Sequence, residues 1–144
     1  MKLYTIGFTQ TSAERFFARL LDAGVARVLD VRLQRDGQLS GFAKARDLEY
    51  FLRELVGAEY RAVPELAPPL ELLTRYRERE ISWDAYAAEY RALLDERRPE
   101  TTIAPELLDA GCLLCSEATP EQCHRRIAAE YLAARHAGLE IVHL

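Results

Sequence analysis

Two thiols, a carboxylate, an imidazole and a guanidinium are gathered between positions 115 and 125, as Cys115, Glu117, Cys123, His124 and Arg125. That set supports three arrangements. In one, Cys115 or Cys123 is a thiolate nucleophile whose pKa is depressed by a helix terminus, Arg125 or His124, and Glu117 serves as acid or base. In another, Cys115, Cys123 and His124 bind a soft metal such as zinc. In the third, the thiols are small buried hydrophobes and Glu117 pairs with Arg125 to fix a loop.

The spacing places the set at a strand-to-helix junction. Gly111 to Ser116 is an apolar run that reads as a buried strand, on which Cys115 and Glu117 share one face and Cys112 takes the other. Cys112 is therefore read as core, although Cys112-x-x-Cys115 has the form of a metal or redox pair. Thr119, Pro120 and Gln122 fit a capping box and predict a helix that begins at Thr119 and runs from Pro120 to about His136. Cys123 and His124 then fall in or near its first turn, where free N–H groups and the helix dipole favour an anion by about 0.3 to 1 kcal/mol. Adjacent helix positions point about 100° apart, so zinc is the less favoured alternative and less than about one zinc for every five chains is expected. No metal and no other cofactor is called for.

Several familiar patterns are missing. A phosphatase loop needs an arginine six residues after its cysteine, and that place holds Glu121. There is no glycine-rich loop ending in Lys-Ser or Lys-Thr, no paired-glycine fingerprint after the first strand and no serine elbow.

The rest of the chain reads as strands alternating with helices. Lys2 to Ile6 is a strand ended by Gly7. Thr11-Ser12 cap a helix carrying Phe16, Phe17, Leu20 and Leu21 at helical spacing, and Gly24 closes it. Ala26 to Val31 is a second strand, with Asp30 and Arg32 at its carboxyl end. Leu33 to Ala45 is a polar loop, a helix runs from about Arg46 to Val56, and Ala58 to Val63 is a third strand. Leu70 to Arg79 is helical. Ser82 caps a longer helix whose face holds Trp83, Tyr86, Tyr90, Leu93 and Leu94, with Trp83 read as core. Leu139 to Leu144 makes the last strand. The alternation predicts one α/β domain over 1–144, with three layers, a mainly parallel sheet of about five strands and helices on both faces. In such sheets ligands bind beyond the carboxyl ends of the strands, here Gly7, Asp30 to Arg32 and Cys115 to Glu117.

Composition narrows the class. With 49% hydrophobic and 29% charged residues in 144, the chain can bury its own core. Three cysteines are an odd number and suit reduced thiols, and no secretory cleavage region or membrane span is read, so a cytoplasmic protein is expected. A net charge of -4 leaves nucleic acid only a local basic patch to bind.

These residues resemble an uncharacterised family, catalogued as domain of unknown function 488. The resemblance rests on Thr5-Ile6-Gly7-Phe8-Thr9, Asp30-Val31-Arg32, Cys115-Ser116-Glu117, Cys123-His124-Arg125 and His143. Phe8 and Thr9 stand where the family has histidine and serine. Arg35 and Gly37 replace a proline and a serine, while Gly41-Phe42, Lys44 and Pro64-Glu65-Leu66 match and Ala67 replaces a glycine. The resemblance implies an α/β fold in which the Asp-Val-Arg strand end and the Cys-Glu, Cys-His-Arg junction belong to one site, and it carries no reaction with it.

The expectation is an anion site at the carboxyl edge of the sheet. Arg32 and Arg125 hold a phosphate or carboxylate beside Asp30 and Gly7, and the helix start near Cys123 adds N–H donors. Cys115 and Cys123 are the thiols, and Glu117 or His124 moves protons. The ligand is a small anion, a nucleotide or a nucleic-acid fragment, and the activity that of a thiol- or carboxylate-assisted hydrolase or transferase. The alternative is a binding or interaction module that uses the same crevice without chemistry.

Overall fold

A computed structural model describes residues 1–37 and 40–144. Strands β1 (Lys2–Gly7), β2 (Arg27–Asp30), β3 (Glu59–Ala62), β4 (Gly111–Cys115) and β5 (Glu140–His143) form one sheet in the order β3-β2-β4-β1-β5. Every neighbouring pair is parallel. The strand carboxyl ends therefore share one edge, which brings Gly7, Asp30 and Cys115 together.

The side-chain alternation of β4 divides the core. Cys112 and Leu114 pack with α1 (Ala13–Asp22) and α2 (Ala45–Phe51), whereas Leu113 and Cys115 pack with α3 (Leu70–Arg77), α4 (Trp83–Arg97) and α6 (His124–Arg135). A short α5 (Pro105–Leu108) leads into β4. The result is the expected three-layer α/β arrangement. Ser12 and Ser82 cap α1 and α4 by accepting from the N–H groups of Arg15 and Ala85. Helix α2 runs on as a π turn over Leu52–Val56 that ends at Gly57 in the left-handed region. Part of the polar loop read at Leu33 to Ala45, Gln38 and Leu39, lies outside the described residues. A 3-10 turn at Gly41–Ala43 closes that segment.

The junction after β4 differs from the capping-box expectation. Helix α6 begins at His124, with Cys123 extended at the cap position, and not at Thr119. Residues 116–123 instead form a loop held by tertiary bonds. The N–H and hydroxyl of Thr9 both donate to the Ser116 carbonyl, at 3.1 and 2.7 Å, and the Arg125 guanidinium donates to the Glu117 carbonyl. Those anchors outweigh a local cap worth about 1 kcal/mol. Among the described residues no helix is long and apolar enough to cross a membrane.

Candidate functional site

Cys115 ends β4, the middle strand of the sheet, and its side chain faces α6. Above it opens a cavity of about 450 Å³. Cys115, Cys123 and His124 form the floor, 4%, 2% and 7% exposed. Gln34, Arg77, Glu117 and Gln122 are its exposed polar rim. One wall is aromatic. Tyr76, Trp83 and Tyr86 line it from the α3–α4 turn, with Phe8 from beyond β1.

His124 is oriented by main chain. Its Nε2 lies 2.9 Å from the carbonyl oxygen of Val31, which can only accept, so Nε2 carries a proton. The Tyr90 ring meets the imidazole edge-on at 5.6 Å. Cys115 Sγ stands 3.5 Å from Nδ1 and 3.7 Å from Nε2. A sulfur in the ring plane at two such similar distances would overlap Cε1, so it lies over the ring and not along the lone pair of either nitrogen. His124 thus supports Cys115 without being placed to take its proton.

The polarisation of Cys115 comes from elsewhere. The Cys123 thiol donates to it, and with the Ser116 N–H and the charge of Arg125 this holds Cys115 below the ordinary thiol range despite burial. The same contact, followed by burial, pushes Cys123 well above that range. Burial alone pushes Cys112 up, on the opposite face.

The donor atoms of Cys115, Cys123 and His124 lie within 4.8 Å of one another. Cys123 precedes the helix, so the step of about 100° between adjacent helix positions does not separate its thiol from His124. A metal bound to imidazole must nevertheless lie in the ring plane along a free lone pair. Here one nitrogen is committed to Val31 and the ring turns its face to the sulfur, so this donor set does not fit an ion as it stands.

The other expected site residues separate. Arg32 lines the cavity, but Asp30 behind it accepts from Arg32 Nε at 2.9 Å and Nη2 at 2.8 Å. Asp30 also accepts from the Arg32 N–H at 3.1 Å and from the Tyr60 hydroxyl at 2.6 Å. The pair is internally neutral, and the Phe8 ring lies 5.1 Å beneath the guanidinium. Arg125 is 0% exposed and does not reach the cavity, which corrects its expected role as an anion ligand. Its Nε faces the Thr5 hydroxyl at 3.4 Å, Nη1 holds the Glu117 carbonyl, and Nη2 has no partner among the described residues. Gly7 is not among the residues that line the cavity, and a Cβ there would stand 1.7 Å from the Glu117 carbonyl oxygen. Its place in the site is to let that carbonyl approach β1.

Sequence reasoning missed the aromatic wall. Trp83, read as core, does pack against the core cluster, but it is half-buried and also lines the cavity, stacked on Tyr86 with ring centres 5.4 Å apart and planes 26° apart. The available signal was positional, since Trp83 opens a helix at the sheet edge where the strands end.

Comparison with known proteins gives a family and no closer relative. A family model matches residues 12–132 and leaves the resemblances at Thr5 to Thr9 and His143 outside its span. No curated protein and no solved structure matches the chain. The chain belongs to the family described as domain of unknown function DUF488.

Proposed function

We propose that the cleft is the active site of a thiol-dependent hydrolase or group transferase, acting on a small anionic substrate that carries a flat ring, of the nucleotide class. The observation that carries this reading is the position of Cys115. It is a thiol at the end of the central strand, on the floor of an open cavity, and the Cys123 thiol, the Ser116 N–H and the charge of buried Arg125 lower its pKa. Tyr76 and Trp83 offer apolar faces for the ring, and Arg77 offers positive charge at the rim. A nucleic-acid chain is the less suited form of this ligand, since the protein is acidic overall.

In this scheme the Cys115 sulfur bonds to the electrophilic atom of the substrate, and the leaving group departs with a proton from Glu117. Water, or the hydroxyl of an acceptor, then returns a proton to Glu117 and releases the product from sulfur. Three free thiols suit the reducing cytoplasm, where such an enzyme would act.

The test is a turnover screen over phosphoric and carboxylic esters of ring-bearing anions. Expected are loss of turnover in Cys115→Ser and a fall of about 10²- to 10⁴-fold in kcat in Glu117→Gln with binding retained. Ligand binding without turnover across the screen would make the protein a binding module. Turnover indifferent to both substitutions would remove the site from this cleft.

A further inference from the structure

Cys123 has no part in the scheme above beyond its hydrogen bond, yet it is a second thiol beside a polarised one. The two sulfurs are within 4.8 Å, both under the same opening. Cys112, the remaining thiol, is on the other face of β4. We infer that Cys115 and Cys123 form a peroxide-reactive dithiol, in which Cys115 meets a small hydroperoxide entering the cleft and Cys123 resolves the product as a disulfide. This rests on the reading that the cleft admits small molecules to Cys115.

The steps balance. The Cys115 thiolate attacks the outer oxygen of the hydroperoxide, the O–O bond breaks, and the alkoxide or hydroxide that leaves takes up a proton from solvent. Cys115 is now a sulfenic acid, oxidised by two electrons, and the peroxide is reduced to an alcohol or water. The Cys123 sulfur then displaces the sulfenic hydroxyl, forming the S–S bond, and the Cys123 proton leaves with that hydroxyl as a second water. A dithiol reductant restores both thiols by exchange.

Geometry favours the resolving step. A disulfide needs the sulfurs about 2.0 Å apart, so they must close part of the present separation. Cys123 is at the end of the loop 116–123 and not inside the helix, and its side chain makes no capping bond to α6. Its sulfur is therefore free to turn toward Cys115 without breaking a helical turn. The buried guanidinium of Arg125, which has no carboxylate partner among the described residues, is one of the groups that lower the Cys115 pKa and so favour its attacking thiolate form.

The experiment treats the reduced, full chain with hydrogen peroxide and follows intact and peptide masses. Expected is the loss of two hydrogens per chain, mapped to a Cys115–Cys123 link, restored by dithiothreitol and unchanged in Cys112→Ser. Cys123→Ser is expected to accumulate a Cys115 sulfenic acid that dimedone traps, and Cys115→Ser to lose at least about ten-fold in oxidation rate at Cys123. Peroxide that leaves Cys115 reduced, that carries it to sulfinic acid with Cys123 still reduced, or that oxidises Cys112 as readily overturns the inference. Melting curves of the three serine variants show whether they are folded, and the wild-type mass map alone decides if they are not. Failure of this chemistry in a protein that binds and turns over ring-bearing anions leaves the proposed function standing. The disulfide forming in a protein that binds no such anion separates the two the other way.

Discussion

Arg125 donates from Nη1 to the main-chain carbonyl of Glu117, and that carbonyl fills the space that a side chain on Gly7 would need. The arginine and the glutamate are therefore joined through the backbone and not as an ion pair. This fixes the loop from beneath while the Glu117 carboxylate stays exposed at the rim. Gly7→Ala places a methyl group 1.7 Å from the carbonyl oxygen, and the loop must move. The expected result is a loss of about 3 kcal/mol in urea unfolding. A substitution that leaves the midpoint unchanged would show that the loop does not rest on β1.

Among the described residues Asp30 is the sole carboxylate bonded to Arg32, and the two side chains are 0% and 6% exposed. Removing one partner leaves a buried charge without compensation, so Asp30→Asn is expected to cost about 3 to 5 kcal/mol. Tyr60→Phe removes one bond to the carboxylate and should cost about 1.5 to 3 kcal/mol. Urea unfolding measures both, and equal small losses would mean that water reaches the pair.

His143 accepts or shares a hydrogen with the Thr5 hydroxyl at 2.6 Å, and burial followed by the charge of Arg125 lowers its pKa. Arg126 acts with Arg125, while Glu121 and Glu130 act against them. A lowered folded-state pKa means that the unfolded chain takes up the proton more readily. The stability contributed by neutral His143 is present above about pH 6.5 and is lost as pH falls through the folded pKa. The stability difference between the wild type and His143→Gln should be level near about pH 7.5 and shrink toward about pH 5. A difference that stays constant, or grows on acidification, contradicts the assignment.

The order of strands and helices could be read from the chain because each element carries its own punctuation, such as Gly24, Gly57 and the caps Ser12 and Ser82. Cys115, Glu117, Cys123 and His124 could be read as a set because β4 and α6 are consecutive and the loop between them is short. The start of α6 could not. Thr119 has the local chemistry of a cap, but Thr9 and Arg125, both remote in sequence or direction, decide where the loop goes. The inward course of Arg125 was also hidden, since a helical position beside a reactive set looks the same whether it faces the cleft or β1. Trp83 shows the same ambiguity: helical spacing marks an apolar face, not whether that face meets core or cavity.

Trp83 is the single tryptophan of the chain and part of the cavity wall, so its fluorescence reports occupancy of the cleft. A nucleoside monophosphate is expected to change it saturably, and to bind at least about ten-fold more tightly than the nucleoside or inorganic phosphate alone, a difference of about 1.4 kcal/mol. Arg77→Ala should narrow that gap by weakening the nucleotide selectively. No change with any of the three at about 1 mM, where even a weak site is half filled, would remove the nucleotide class.

The central claim is that Cys115 is a polarised thiol open to the cleft, and site-resolved alkylation tests it most directly. Reduced protein is treated with iodoacetamide across a pH series, and the rate at each cysteine is read from peptide masses. Because the thiolate is the reacting form, the Cys115 rate should have its midpoint below that of an unperturbed thiol, about pH 8.5. Cys123 and Cys112, both pushed upward, should react more slowly throughout. A Cys115 midpoint at or above about pH 8.5, or labelling of Cys112 as fast as that of Cys115, would contradict the account.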